Sequence, residues 1–483
     1  MNPASITRLD LVLATPEMFL LAATCVILIG DLFLRDRDRW ITFVLSLLTL
    51  AGVAWITAAT GFTERTVGWH GTYVADPLST LLKIVACGAV AVAFLYGHGY
   101  LQVRSILKGE YYVLGLFALL GVMVLASANS LVTLYLGVEL LALSLYALVA
   151  FNRDSGIAAE AAIKYFVLGS IASGALLYGM SIIYGVTGSL ELGAISNAAL
   201  QMPAGQIGLL FGLAFIVVGV AFKFGAVPFH AWVPDVYHGA PTPVTLFLAA
   251  APKLGSFALA FRLLAEGLGA VHATGWQDMI TMVAVLSIIV GNVVAIAQTN
   301  IKRMLAYSTI SHVGFILLGI LAGTSQGYAA ALYYTITYVI MSVGGFGMII
   351  LLSRKGFEAD GLEDFKGLNA RSPWFAAVML MLMFSMAGVP PFVGFWAKLA
   401  VIQAVLDIGS LWLAILAVAL SVVGAYYYLR VVKLMYFDEP TDKAALQGGG
   451  GAMRFVLSLN GLAVLALGLY PGLLLALCAR VIP

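Results

Sequence analysis

The feature that most constrains this chain is a succession of apolar segments, each long enough to cross a bilayer. A transmembrane helix needs about 20 predominantly apolar residues, and roughly fourteen such segments occur in the 483-residue sequence. They lie at 11–34, 40–60, 77–101, 111–128, 130–151, 160–186, 206–237, 242–264, 276–298, 301–322, 327–353, 373–406, 410–436 and 453–477. Only 10% of the residues are charged, against about 25% in soluble proteins. The sequence therefore predicts an all-α polytopic membrane protein.

Charge and cysteine usage exclude several other classes of protein. A net charge of +2 without a dense basic tract argues against nucleic acid as a partner. Cys25, Cys87 and Cys478 lie in apolar runs without CxxC or Cys/His spacing, so neither disulfides nor iron–sulfur ligation are expected. Because no GxGxxG motif follows a strand pattern, we expect no cofactor and no metal in this chain.

The distribution of lysine and arginine predicts the orientation of the helices, since cytoplasmic loops are enriched in both residues. Of the 25 such residues, sixteen fall in alternate loops that we expect on the cytoplasmic side. The opposite loops hold only Arg8, Arg65, Arg262 and Arg480. With an even number of helices, this bias predicts that both termini face away from the cytoplasm.

Five lysines fall in or near the apolar segments instead of in loops: Lys83, Lys164, Lys223, Lys253 and Lys398. Lys83 and Lys164 lie within about two turns of a predicted helix end, so we expect them to extend to the membrane interface. The other three lie deeper, as does Glu139 in "YLGVELLALSLYALVAF". Ionisable residues at that depth are costly to insert and are therefore functional candidates.

Two similar motifs interrupt the two longest segments. "GAVPFHAW" (225–232) and "GVPPFVGFWAK" (388–398) both run Gly, apolar, Pro, Phe and then Trp. Pro228 and Pro391 lie 163 residues apart (391 − 228), which covers five predicted helices. Because five is odd, a duplicated unit would enter the membrane inverted, as in many transporters whose broken helices mark the ion site.

This repeat predicts a division of the chain into four parts, with helices seven and twelve broken. The parts are the N-terminal helices 1–110, a first five-helix repeat 111–265 with broken helix 206–237, a second repeat 276–436 with broken helix 373–406, and a C-terminal helix within 450–483.

The interruptions predict unpaired backbone groups inside the membrane. Pro228 cannot donate to the carbonyl of Phe224, and Pro391 cannot donate to that of Ala387. A freed carbonyl in hydrocarbon costs several kcal/mol unless protein or water satisfies it. One such motif alone would equally fit an ordinary proline kink. Two in matching positions, each near a lysine, favour a hydrated niche where a lysine can lose and regain a proton.

Two further helices carry candidate groups. In the eighth, Pro252 directly precedes Lys253 and is expected to free the carbonyl of Leu248 near the ammonium. In the tenth, His312 belongs to a band of hydroxyl side chains in "IKRMLAYSTISHVGFILLG". Such a histidine can either pack helices through hydrogen bonds or carry protons, and both interpretations stay open. His230, within the first interruption, is a possible connector.

Four segments together resemble a known family: "YLGVELLALSLYALVAF", "AFKFGAVPFHAWVPDVYHGAPTPVTLFLA", "QTNIKRMLAYSTISHVGFILLG" and "MAGVPPFVGFWAKLAV". They are similar to the antiporter-like membrane subunits of respiratory complex I, the proton-translocating NADH-quinone oxidoreductase of bacterial inner membranes. The resemblance implies that Glu139 on helix five pairs with Lys223 on broken helix seven. It also implies that Lys253 is a central relay residue and that Lys398 is the terminal one.

Within this family, two features separate subunit types. M-type members carry glutamate where this chain has Lys398, and L-type members end in a long lateral helix. The resemblance further implies FMN and iron–sulfur clusters in partner subunits, a quinone site elsewhere, and M-type and K-type membrane subunits as partners.

Two other hypotheses remain at this point. The chain could belong to a multisubunit cation/proton antiporter, which shares the fold, or it could be a membrane scaffold without a transport role. Flanking oxidoreductase genes would favour complex I over the antiporter. A scaffold would leave pumping intact when Lys223 is neutralised.

Overall fold

The computed structural model describes residues 6–62, 64–203, 206–269, 275–440 and 448–483, and the chain is almost entirely helical there. Eleven of the described helices are long and apolar enough to cross a membrane, and shorter apolar helices at Glu110–Ala126, Pro373–Ala387 and Pro471–Val481 accompany them. Every one of the predicted segments coincides with a helix or a pair of consecutive helices. The prediction of an all-α polytopic membrane protein is confirmed.

The N-terminal part contains four helices and a short hairpin. The helices are α1 (Arg8–Leu13), α2 (Thr15–Asp31), α3 (Trp40–Ala59) and α4 (Pro77–Val103), and the hairpin pairs β1 (Thr66–Gly68) with β2 (Tyr73–Ala75). Asp76 caps α4, since its Oδ1 accepts from the Ser79 amide at 2.7 Å and Pro77 occupies the first helical position. The cap fixes where this long helix begins.

The first half of the bundle continues with eight helices. They are α5 (Glu110–Ala126), α6 (Leu131–Val149), α7 (Gly156–Thr187), α8 (Leu192–Leu200), α9 (Ile207–Phe224), α10 (Trp232–Gly239), α11 (Thr242–Ala249) and α12 (Ala251–Ala260). A π-helical turn, Phe261–Gly267, extends α12. The eighth predicted segment is thus divided as well, at Ala250, whose φ of −107° and ψ of −93° are not helical.

Nine further helices of the described residues form the second half. They are α13 (Trp276–Ile296), α14 (Ile301–Leu321), α15 (Ser325–Leu352), α16 (Leu368–Arg371), α17 (Pro373–Ala387), α18 (Val393–Asp407), α19 (Leu411–Phe437), α20 (Gly451–Leu469) and α21 (Pro471–Val481). Asn300 caps α14 by accepting from the Arg303 amide at 3.1 Å. This helix carries His312.

Both predicted interruptions are present. Helix α9 ends at Phe224 and α10 begins at Trp232, while α17 ends at Ala387 and α18 begins at Val393. The two first halves end alike, with a glycine in the left-handed region: Gly225 has φ 76° and Gly388 has φ 88°. The broken helices are therefore confirmed, whereas the division into inverted repeats at 111–265 and 276–436 stays a prediction.

The centre of the bundle consists of three helical segments with almost no outer surface. The most apolar stretch of Thr242–Gly267 is completely buried, and those of α14 and α15 are nearly so, whereas that of α3 is mostly exposed. Polar groups on the central helices can therefore be satisfied only by other protein groups or internal water. Lys253 and His312 both lie on these helices.

Lys83, predicted to extend to the membrane interface, is buried and paired inside the bundle. It is 4% exposed, and its Nζ lies 2.7 Å from Glu17 Oε1 and 2.9 Å from the Tyr73 hydroxyl. Because α2 contributes a carboxylate at the same depth, the lysine is paired within the bundle. Lys164 is half-exposed and pairs with Asp235 at 2.8 Å and with Glu160 at 2.9 Å, as an interfacial lysine should.

Arg262, expected in a loop, is instead fully buried in the π-helical turn. It lies 2.8 Å from Asp76 and 2.6 Å from Glu266, and Glu266 also binds Arg65 at 2.8 Å. Arg65 and Arg262 are two of the four arginines assigned to the loops opposite the cytoplasmic ones, and they share the carboxylate of Glu266. That grouping agrees with the predicted alternation of loops.

We expect Lys83→Met to destabilise the protein by about 3–5 kcal/mol, because removing one partner of a buried ion pair leaves the other charge uncompensated. The thermal unfolding midpoint of the detergent-solubilised protein measures this loss. The double variant Lys83→Met/Glu17→Leu removes both charges and should recover most of it. A single variant as stable as the wild type would show that the pair does not matter.

Candidate functional site

Lys253 is buried at the first helix break. It is the third residue of α12 and is 1% exposed. Its Nζ donates to the carbonyl of Phe224 at 2.7 Å. The ammonium also lies 5.9 Å from the centre of the Trp232 ring, which begins α10. We expected the Leu248 carbonyl beside this ammonium, but the lysine reaches across to α9 instead.

Lys398 occupies the corresponding position at the second break. Its Nζ donates to the carbonyl of Ala387 at 2.8 Å and lies 5.2 Å from the centre of the Phe315 ring. Ala387 is the last residue of α17, as Phe224 is of α9. Each lysine thus bonds to the carbonyl that the proline was predicted to free.

The geometry of these carbonyls explains why a lysine suits them. The last carbonyls of a helix have no intrahelical donor, and the helix dipole makes that end partly negative. In water this would be a minor effect, but inside the bundle an unpaired carbonyl is costly. A cationic donor therefore meets both the hydrogen-bonding and the charge requirement of the broken end.

His312 is held on both sides by tyrosines. Its Nδ1 lies 2.7 Å from the Tyr334 hydroxyl and its Nε2 lies 3.0 Å from the Tyr428 hydroxyl. Tyr428 also bonds to Ser308 at 2.5 Å. Because a hydroxyl can donate or accept, either tautomer of the neutral ring fits this arrangement. The ring is thus connected to a chain of exchangeable protons.

Glu139 and Lys223 do not touch in this structure. Glu139, on α6, accepts a hydrogen bond from the Ser173 hydroxyl of α7, and Lys223 forms no ion pair among the described residues. Lys223 lies in the last turn of α9, where the helix dipole favours a cation. Its backbone carbonyl accepts from Ser256 at 3.1 Å, which connects it to the helix that carries Lys253.

The remaining predicted connector, His230, lies in the segment between α9 and α10 and is half-buried. Its Nδ1 is buried and has no hydrogen-bond partner among the described residues. A buried nitrogen of this kind needs a partner. Water in the break would meet that need, as the hydrated niche predicted from the sequence requires.

The structure therefore joins the predicted residues in two groups. At the first break, Lys253 bonds to the carbonyl of Phe224, and the backbone carbonyl of Lys223 accepts from Ser256. At the second, His312 lies one helical turn from Phe315, over which Lys398 packs. Glu139 is bonded to Ser173 and lies near enough to Lys223 to act on its charge, although the two form no ion pair within the described residues. The sequence analysis missed the tyrosines. Tyr334 and Tyr338, whose ring centre lies 5.3 Å from that of His312, are spaced i, i+4 in "YYTITY" and so lie on one helix face.

Within the described residues, no three His, Cys, Asp or Glu side chains are grouped in a way that could hold a metal ion. The groups that the site does contain are amines, an imidazole, hydroxyls and one carboxylate. Each of these can take up or release a proton, or orient a water that does.

A family model described as NADH:quinone oxidoreductase/Mrp antiporter, TM, matches residues 128–424 of the chain. NADH-quinone oxidoreductase subunit N of Thioalkalivibrio sulfidiphilus is 60% identical over 474 residues, covering 98% of both chains. The protein of the same name from Thiobacillus denitrificans is 57% identical and covers 97% of both. The chain belongs to this family. Every predicted site residue lies within the matched range.

Solved structures of this family and of related complexes share the fold. A chain of respiratory complex I from Thermus thermophilus with bound aureothin matches with a TM-score of 0.82 at 32% identity, covering 96% of this chain and 99% of that one. A chain of an archaeal membrane-bound sulfane sulfur reductase matches with a TM-score of 0.83 at 28% identity, covering 97% and 96%. A chain of the Mrp complex from Dietzia, at 22% identity and a TM-score of 0.82, covers 98% and 97% and shows the fold alone.

The relatives' name also agrees with the distinction drawn between subunit types. Lys398 argued against the M type, and the two relatives described above are subunit N proteins. The suspected place of the chain within its family is thus confirmed.

We expect Gly388→Ala to destabilise the protein more than Gly409→Ala. Both glycines have a positive φ, 88° and 80°, so alanine costs about 1–2 kcal/mol at either position. Only at Gly388 would the new Cβ meet the site, 2.9 Å from Lys398 Cδ, whereas Gly409 faces open space. Thermal unfolding measures the difference.

A structure of the Gly388→Ala protein should also show the Lys398 ammonium displaced from the Ala387 carbonyl. If both variants lose the same stability and the lysine stays in place, the close approach at Gly388 has no part in positioning Lys398.

Proposed function

We propose that this chain is a proton-translocating membrane subunit of an NADH-quinone oxidoreductase. The observation that carries the proposal is the pair of lysines that bond to the broken ends of helices α9 and α17 inside the bundle. A proton path needs groups that change protonation within reach of one another or of water. Lys398 packs on Phe315, one helical turn from His312, and Lys253 would exchange its proton through bridging water.

The two lysines would act as the middle and terminal stations of the relay. A carbonyl can hold an ammonium but cannot take its proton, so each proton must leave along another direction. His312 is close to Lys398, since it lies one helical turn from Phe315, against which the ammonium packs. A positive charge on His312 would repel a positive charge on Lys398, because the interior of the bundle has a low dielectric constant. Arrival of a proton at one of them would therefore favour its release from the other.

Glu139 and Lys223 would form the switch of the relay. Lys223 forms no ion pair in the part of the chain that the structure describes, and Glu139 accepts a hydrogen bond from Ser173. If the carboxylate moved to about 4 Å from the ammonium, the attraction would be on the order of 4 kcal/mol at an effective dielectric constant near 20. Such a change is large enough to load Lys223 with a proton, and its reversal would release that proton toward Lys253.

The redox cofactors and the quinone site would lie in other subunits. We propose that FMN and iron–sulfur clusters reside there and that quinone binds elsewhere in the complex. The partners would be other membrane subunits, among them M-type antiporter-like and K-type subunits. The chain would lie in the bacterial inner membrane with both termini on the periplasmic side, in keeping with the bias in its lysines and arginines.

A multisubunit cation/proton antiporter is the second candidate, because the family description includes Mrp antiporters. The relatives at 52–60% identity carry the oxidoreductase name instead. The Mrp likeness, at 22% identity, concerns the fold. This contrast favours the oxidoreductase.

Lys253→Arg and Lys398→Arg test whether these lysines must release protons. Arginine can keep the carbonyl bond and the charge, but it does not deprotonate in proteins. We expect each variant to assemble and to lower the proton-to-electron ratio of the complex in proteoliposomes. Lys355→Gln, at an exposed loop lysine, is the control and should leave the ratio unchanged. A wild-type ratio in both assembled arginine variants would contradict the relay.

Glu139→Gln tests the switch separately. The amide keeps a hydrogen-bonding group for Ser173 but cannot attract Lys223 as an anion. We expect normal assembly with a reduced number of protons pumped per electron. If Glu139 and Lys223 only hold α6 and α9 in place, the opposite pattern is expected. The variant should then assemble poorly, and the complex that does assemble should pump the normal number of protons per electron.

A further inference from the structure

A groove separate from the proton-transfer site opens where α2 ends, α5 begins and α6 ends. Its volume is about 750 Å³. The floor is apolar and includes Leu28, Val113, Leu114, Phe117 and Ala147. Along α5 the lining residues run from Glu110 to Phe117, which is a rise of about 10 Å. It therefore runs from the membrane face into the depth occupied by lipid acyl chains.

The rim of the groove carries two cations and two carboxylates. Lys108 and Glu110 stand on one side, at the start of α5, and Arg153 and Asp154 follow the end of α6. All four are exposed. Within the described residues, the side chains of Lys108, Arg153 and Asp154 have no ion-pair partner, and Glu110 only approaches Arg39 at 3.9 Å. The charges are therefore available to a ligand.

We propose that this groove binds one diacyl phospholipid with a zwitterionic, amine-bearing headgroup. Lys108 and Arg153 would bind the phosphate, and Glu110 and Asp154 would bind the ammonium. Charge-assisted hydrogen bonds of both signs are then satisfied by one molecule. The apolar floor would hold the upper part of the acyl chains.

The headgroup, and not the acyl chain, must provide the selectivity. Lipid tails are as apolar in the bilayer as against the protein, so moving them into the groove yields little free energy. A purely anionic headgroup would leave the two carboxylates facing negative charge. A free phosphate would leave the apolar floor without a ligand. A zwitterionic lipid is the one occupant among these that matches both surfaces.

Photoreactive lipids test this proposal on the assembled complex in its membrane. Phosphatidylethanolamine and phosphatidylglycerol, each with a diazirine in the acyl chain, are added separately, and labelled peptides are identified by mass spectrometry. We expect phosphatidylethanolamine to label residues within 113–117 or 147–151 more strongly than phosphatidylglycerol does. Lys108→Gln/Arg153→Gln should reduce that labelling on the order of tenfold, since each basic side chain near the surface contributes appreciably to lipid binding.

Two variants complete the design. Glu110→Gln/Asp154→Asn should abolish the preference for phosphatidylethanolamine over phosphatidylglycerol while leaving total labelling in place. Lys355→Gln lies in the loop that contacts Arg104, next to the groove face, and removes one exposed cation outside the groove. It should leave the labelling unchanged. Native gels confirm that each variant assembles.

Three outcomes would overturn the proposal. Equal labelling by the two lipids in the wild type would exclude recognition of the amine. No loss of labelling in Lys108→Gln/Arg153→Gln would exclude the phosphate contacts. No labelling within 113–117 or 147–151 of the wild-type complex would show that the groove holds no lipid in the assembly.

Discussion

The structure depends on how it satisfies backbone carbonyls where helices are broken inside a membrane. Water is scarce there, so an unpaired carbonyl costs several kcal/mol. The chain meets this requirement with Lys253 at Phe224 and Lys398 at Ala387, at 2.7 and 2.8 Å. One interaction thus stabilises the breaks and also holds two amines in the interior. The groups that allow the fold are the groups that proton transfer would use.

The rest of the bundle supports this arrangement by isolating it. The central segments, Thr242–Gly267, α14 and α15, have almost no outer surface, so His312 and its tyrosines can bond only inward. Several charged side chains outside this centre form ion pairs with one another, as Arg262 does with Asp76 and Glu266. These ion pairs connect segments that are distant in the chain. The amines of Lys253 and Lys398, which bond to carbonyls and not to carboxylates, lie in the middle of the bundle.

Several predictions failed in one consistent way. Lys83 is near a helix end, and from the sequence alone an interfacial position is the cheaper choice. It is buried because Glu17, on a different helix, supplies a carboxylate. Lys253 was expected beside Leu248 on its own helix but bonds to Phe224 on α9. Tyr334 and Tyr428 were overlooked because their partner, His312, lies on another helix. Each error concerns a neighbour far along the chain.

The sequence by itself determined the membrane spans, the two breaks and the ionisable residues near them. Apolar length, proline chemistry and the insertion cost of a charge are local properties, and they decide which groups must be satisfied. Only the tertiary structure decided which partner satisfies each group, and that Glu139 bonds to Ser173 instead of Lys223. Partners come from the packing of helices far apart in sequence. Local patterns state the need for a partner but do not identify it.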